Sequence, residues 1–310
     1  MKTIGDWLKI AKKQIAMLDA ELIALAVFAP DDSTDRSWLV SHDDVEITTE
    51  MQKKATVMLE RRRRGEPLAY ILGKKAFYGR DFLVTADVLI PRPETEILID
   101  LIKGLKLPKQ PSFLEIGTGS GCIAITLALE FPQSYVLATD VSSKALDVAY
   151  RNDLAYEGRV EFMQSNLLHD VTADEGRFDV LVANLPYVDP RWEWLDKDSL
   201  DYEPRRALYV EKGGGLALYE RLLRELKLRQ GRGGFGVDYV VLEADPCQHL
   251  ALVKIAERQG LICLRTSGYG LLFERRQRQL ARQRMQRYLL DIEPRLAKAN
   301  HQDNYRQDAK

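Results

Sequence analysis

The chain has 310 residues, of which 45% are apolar and 29% charged. A single core rarely grows past about 250 residues, so two domains are expected, with apolar side chains enough for packed interiors. A formal net charge of −1 lacks the basic excess of most nucleic-acid enzymes, and Cys122, Cys247 and Cys263 are too widely spaced for a disulfide framework or a metal site.

The first predicted element is a helix from Thr3 to Ala29, on which Trp7, Leu8, Ile15, Leu18, Leu22, Leu25 and Ala26 recur at helical intervals. Its charges interrupt any apolar run, so it reads as neither a signal peptide nor a membrane span, and a reducing, cytoplasmic setting is expected. Pro30 and the Asp-Asp-Ser that follows end it. Thr48 or Thr49 can cap a second helix, which runs through Arg64 and closes at Gly65. The basic run Arg61 to Arg64 is expected to be a solvated helix face.

From Lys75 to Ile90 the period changes. Phe77, Phe82, Val84, Val88 and Ile90 suggest two short strands around Gly79-Arg80-Asp81, a hairpin. Pro91 and Pro93 stiffen the chain before a helix starting near Glu94.

From Ser112 strands and helices alternate, which predicts an α/β fold with a mostly parallel sheet. Strands are expected at Phe113–Ile116, Tyr135–Thr139, Val160–Met163, Phe178–Ala183 and Tyr239–Glu243. Helices are expected after the first strand to Phe131, then at Ser143–Tyr156, Leu216–Leu228 and His249–Gln259. Ile262–Thr266 and Leu271–Glu274, joined by Ser267-Gly268-Tyr269-Gly270, read as a closing antiparallel pair. The sheet is expected to be complete before the arginine-rich tail that begins at Arg275.

Chemistry concentrates at strand ends. Gly117-Thr118-Gly119-Ser120-Gly121 follows the first strand and opens a helix, where glycines let the backbone turn tightly and approach a ligand. No third glycine completes the dinucleotide pattern and no Walker lysine is present, so a nucleoside without phosphates suits this loop. Asp140 ends the second strand, where a carboxylate can accept both ribose hydroxyls or, more plainly, cap the helix at Ser142-Ser143. Asn166, with Leu167 after it, ends the third strand, where an amide can meet an adenine edge or simply face solvent.

Asn184-Leu185-Pro186-Tyr187 follows the fourth strand. An amide or aromatic amine is a poor nucleophile because its lone pair is delocalised. Asn184 Oδ1 and a backbone carbonyl can each accept one N–H of such a group, aiming its lone pair at a methyl donor. Tyr187 can stack on a planar group. At position 185 the role belongs to the carbonyl, so proline is expected to serve there equally well.

These four residues resemble the N/D-P-P-Y motif of methyltransferases that modify planar amino or amide nitrogens. Gly65 to Gly73, Phe77-Tyr78 and Ile90-Pro91-Arg92-Pro93-Glu94-Thr95-Glu96 resemble the HemK-type release-factor glutamine methyltransferases. Glu203-Pro204, Ala207-Leu208 and Gly214-Gly215-Leu216 follow in the expected order. Leu185 departs from the family's usual proline, and Asn166 from its usual aspartate.

The resemblance implies a helical N-terminal substrate-recognition domain (1–73), a β-hairpin linker (74–93), a Rossmann-like seven-stranded methyltransferase domain (94–275) and a basic tail (276–310). It implies S-adenosylmethionine as donor, held by Gly117 to Gly121, Asp140, Asn166, Leu167 and Asn184. It implies that Asn184, Leu185, Pro186 and Tyr187 receive the glutamine of the Gly-Gly-Gln loop of a peptide-chain release factor. No metal and no membrane are called for, and the tail is a candidate contact with the ribosome. The rival readings are a ribosomal-protein glutamine methyltransferase, an adenine-N6 methyltransferase on nucleic acid, and a non-catalytic ribosome-associated binder.

Overall fold

The computed structural model describes residues 2–31, 35–172, 176–192, 200–210, 213–230 and 235–278. The tail beyond residue 278 lies outside the described residues.

The first predicted helix is two helices, α1 (Ile4–Ala11) and α2 (Met17–Phe28). In one straight helix Trp7 and Phe28 would stand about 32 Å apart, at 1.5 Å per residue. A turn over residues 12–15 folds α2 back instead, and the two rings meet edge to face with centroids 5.6 Å apart. Burial of both apolar stripes against each other outweighs the local helical preference. Asp35 caps a short helix that the sequence did not announce, α3 (Arg36–Ser41). Thr48 caps α4 (Thr49–Arg63) by accepting the Met51 N–H at 3.1 Å. Trp7, Ile23, Phe28, Leu39 and Leu59 form the shared core of these four helices.

The basic run at the end of α4 is not simply solvated. Arg61 pairs with Glu66 at 2.5 Å, Arg62 with Asp19 at 2.6 Å and Arg63 with Glu60 at 2.7 Å. A further unannounced helix, α5 (Leu68–Leu72), ends at Gly73, whose φ of +75° supplies the left-handed turn into the hairpin.

The hairpin is β1 (Lys74–Phe77) and β2 (Arg80–Leu83). Its two-residue turn is Tyr78-Gly79, both at positive φ, and Arg80 and Asp81 belong to the strand. Two left-handed central residues match the twist of the flanking strands. Val84, Val88 and Ile90 are not strand residues. They pack with Tyr70, Ala145 and Val148 into a separate small cluster.

After a single turn at Pro93–Thr95 and helix α6 (Glu96–Lys103), the sheet begins. Its strands are β3 (Ser112–Ile116), β4 (Tyr135–Asp140), β5 (Glu161–Gln164), β6 (Arg177–Ala183), β7 (Gly236–Glu243), β8 (Leu261–Ser267) and β9 (Gly270–Arg275). The order across the sheet is β5-β4-β3-β6-β7-β9-β8. All neighbours are parallel except β7–β9 and β8–β9. The connecting helices are α7 (Cys122–Glu130), α8 (Ser143–Ala155), α9 (Arg205–Leu208), α10 (Ala217–Gln230) and α11 (His249–Arg258). One core lies on each face of the sheet, as expected when helices cover both sides.

Strand order reverses between β3 and β6, and ligand crevices form outside the carboxyl ends of strands at such a point. Register then decides which residues meet there. Ile116 pairs with both Thr139 and Ala183, so Gly117, Asp140 and Asn184 leave the sheet side by side. Ala183 pairs with Leu242, which brings Glu243 next to Asn184.

Candidate active site

A cleft of about 1050 Å³, part of it open to solvent, occupies this carboxyl edge. Gly117, Thr118, Gly119, Ser120, Asp140, Asn166, Leu167, Asn184, Leu185 and Pro186 all line it. Gly121 and Tyr187 do not. Gly121 serves the loop from behind: a Cβ there would stand 2.9 Å from Ile125 and 3.1 Å from Ala149. Its φ of +82° starts α7.

The glycine loop is tied on three sides. The N–H groups of Gly117 and Thr118 donate to the Thr139 carbonyl at 2.8 and 2.9 Å. Gly119 N–H donates to Asp140 Oδ2 at 3.0 Å. Asn152 Nδ2 donates to the Ser120 carbonyl at 2.8 Å and to the Leu83 carbonyl at 3.0 Å, joining loop to hairpin.

Asp140 does both things its position allows. Oδ1 accepts the Ser142 N–H at 2.9 Å, the plain turn-forming role, while the carboxylate still lines the cleft. Burial pushes its acidity below that of a free aspartate; bonds from Ser142 and Gly119 and the nearby Arg206 charge oppose this. Asn166 is exposed at the cleft wall, and Leu167 holds a φ of +56°. That left-handed leucine is strained backbone at a ligand-facing position.

Glu115 carries no role in the sequence reading, yet it is 1% exposed and lines the cleft. Its Oε2 accepts the Thr118 hydroxyl at 2.6 Å and the Ala124 N–H at 3.0 Å. Its Oε1 is buried and has no partner among the described residues. Burial pushes its pKa up to about 8. The signal was a lone carboxylate inside the apolar run Phe113-Leu114-Glu115-Ile116.

Around the tetrapeptide, Asn184 Nδ2 donates to Thr95 Oγ1 at 3.1 Å. Leu185 is buried, and its N–H donates to the Tyr219 hydroxyl at 3.0 Å. The position therefore uses its N–H and its side chain as well as its carbonyl, which corrects the expectation that proline would serve equally. Tyr187 turns its hydroxyl away from the cleft and donates to Glu243 Oε1 at 3.1 Å. Its carbonyl accepts from Gln248 Nε2 at 2.9 Å, and Gln248 also donates to the Gly214 carbonyl at 2.6 Å. A Cβ on Gly215 would lie 2.0 Å from the Tyr187 carbonyl oxygen, so only glycine lets the two loops touch.

Two segments far apart in sequence become one unit. Arg92 pairs with the buried Glu203 at 2.5 Å, and Glu203 also accepts the Ile90 N–H at 3.0 Å. Arg92, Pro204, Arg206 and Ala207 thereby close one side of the cleft. No group of residues suited to a metal ion occurs among the described residues, and no described helix is long and apolar enough to cross a membrane.

Comparison with known proteins agrees with this arrangement. Residues 6–73 match the family model for the PrmC N-terminal domain, and residues 94–195 match that for the methyltransferase small domain. A release factor glutamine methyltransferase of Neisseria gonorrhoeae is 35% identical over 233 residues, spanning 75% of this chain and 82% of its own. One from Koribacter versatilis is 39% identical over 241 residues, with the same spans of 75% and 82%. One from Xylella fastidiosa is 34% identical over 261 residues, spanning 84% and 91%. With identity at this level across most of both chains, and with the glycine loop and Asn184 facing one cleft, the chain belongs to the release factor glutamine methyltransferase family.

Proposed function

We propose that the protein transfers a methyl group from S-adenosylmethionine to the side-chain amide nitrogen of the Gly-Gly-Gln glutamine in a peptide-chain release factor. The observation that carries this reading is the strand register that sets Asn184 beside the glycine loop and Asp140 in one cleft. The relatives named above support the choice of a glutamine in a release factor over a ribosomal protein or a nucleic-acid base.

The residues present fit the donor. Gly117 to Ser120 offer backbone that can be approached closely. Asp140 offers a carboxylate for a ribose, with Asn166 and Leu167 beside it for the base. Glu115 Oε1, buried and without a partner among the described residues, suits an ammonium group. When bound, the donor supplies an already activated methyl on a sulfonium. Asn184 Oδ1 and a tetrapeptide carbonyl accept the N–H groups of the target amide. They hold its nitrogen on line and stabilise the positive charge it gains. Leu185 and Pro186 wall the cleft against water. Tyr187 works from behind, through Glu243.

The test is labelling from methyl-labelled donor of a release factor and of the same factor with its Gly-Gly-Gln glutamine replaced. Label in the first and none in the second is the expected result. Equal label in both would overturn the reading.

A further inference from the structure

Glu243 is the last residue of β7 and is 1% exposed. Its Oε1 accepts the Tyr187 hydroxyl. Its Oε2 is buried and takes no bond of good geometry among the described residues. Thr95, itself 2% exposed, stands beside the carboxylate and is the largest influence favouring its charged form. Thr95 Oγ1 in turn accepts from Asn184 Nδ2.

The protons of this chain can be counted. An ionised carboxylate only accepts, and a hydroxyl has a single proton. Tyr187 donates to Glu243 Oε1, and the Thr95 proton, its oxygen already accepting from Asn184, is left for the unpartnered Oε2. With its proton committed, the Thr95 oxygen can only accept from Asn184. That turns Asn184 Nδ2 inward and leaves Oδ1 for the cleft. A protonated Glu243 reverses the chain: the acid donates to Thr95, Thr95 donates to Asn184 Oδ1, and the NH2 group faces the cleft. An NH2 there opposes the NH2 of the substrate, donor against donor.

We propose that Glu243 is a positioning residue, which through Thr95 holds the Asn184 amide in the one orientation that can accept from a target N–H. This rests on the reading of Asn184 given above. Burial pushes Glu243 up to about 7, and the Glu94 charge adds to this; Thr95, Tyr187 and Asn184 oppose it. Among the described residues, the other titratable groups facing it are Tyr219, Tyr269 and Cys122, all uncharged near neutrality because burial raises each. Orientation, and with it turnover, is therefore expected to be lost as pH falls through about 7.

The experiment has two arms on the full chain. In the first, nitrogen-labelled protein is followed by NMR, with the Asn184 side-chain signal assigned by its loss in Asn184→Ala. That signal is expected to titrate near neutrality in the wild type and to be static in Glu243→Gln. This arm needs no substrate, so it stands even if the release-factor reading fails. A signal static in the wild type overturns the proposal.

In the second, single-turnover methylation is measured across the neutral range. Glu243→Gln and Thr95→Val are expected to lower the rate constant about 10²-fold, the scale of one lost preorganised contact, with KM within about threefold. Thr95→Ser keeps the hydroxyl and is expected to recover most of the turnover. If Glu243→Gln fails to fold in a thermal melt, the Thr95 pair decides. Wild-type turnover in Thr95→Val, or loss in Thr95→Ser equal to that in Thr95→Val, overturns the proposal.

Discussion

The Leu185 side chain lies against Gly117: a Cβ on that glycine would stand 2.9 Å from Leu185 Cδ2. The donor-side loop and the acceptor-side tetrapeptide are thus packed on each other, and a change in one is felt by the other. Leu185→Pro would remove this contact and the N–H that the Tyr219 hydroxyl accepts. A cost of about 1–3 kcal/mol is expected from one buried hydrogen bond and lost packing. Urea unfolding measures it. Unchanged stability with full turnover would show that the proline ring fills the same space.

Asp140→Ala is expected to weaken binding of S-adenosylhomocysteine by about 1.5–3 kcal/mol, the scale of a lost charge-assisted hydrogen bond. Part of that loss comes from Gly119, whose N–H would lose its acceptor. Calorimetry reads the affinity. A folded variant with unaltered affinity removes Asp140 from the ribose site.

Asn184→Ala is expected to slow methylation by about 10²–10³-fold while sparing donor binding, because its acceptor acts mainly in the transition state. The competing outcome is a turn residue whose loss lowers the melting temperature and leaves the rate per folded molecule intact. A melt run beside single-turnover kinetics separates them.

Stability is expected to fall as pH rises from about 4.5, the ordinary carboxyl value, to about 8. Glu115 and Glu243 are both pushed up by burial, to about 8 and about 7. A carboxyl raised above its unfolded value stabilises fully below that unfolded value, and the contribution is lost as pH climbs through the folded value. Denaturation midpoints across this range check the sign. Glu115→Gln is expected to flatten the dependence, and a midpoint that rises with pH in the wild type contradicts the assignment.

Arg278 lies 4.6 Å over the Tyr239 ring, and Arg276 N–H donates to the Gly260 carbonyl at 2.9 Å. The first tail residues therefore pack on the sheet, whose last strand ends at Arg275. Truncation after residue 278 is expected to leave the melt unchanged. Arg278→Ala is expected to cost about 0.5–2 kcal/mol. An unaltered melt for that variant would mean that the stacking contributes nothing.

The alternation of strands and helices, the glycine loop, Asp140 and the Asn184 tetrapeptide were legible in the sequence because each is written in contiguous residues. A period of two or of three to four, or a glycine run after an apolar stretch, depends only on near neighbours in the chain. The reversal between α1 and α2 was not legible, because the periodicity simply continues through it. What decided it was Trp7 meeting Phe28. Nor could sequence alone show that Arg92 and Glu203, 111 residues apart, form one buried pair. Tyr187 carries the right ring for stacking, but only the neighbouring Glu243, set beside it by strand register, turns its hydroxyl from the cleft. Glu115, Thr95 and Glu243 matter for the same reason. A carboxylate becomes a strong local determinant when burial removes its water, and which carboxylates are buried is settled by tertiary packing alone.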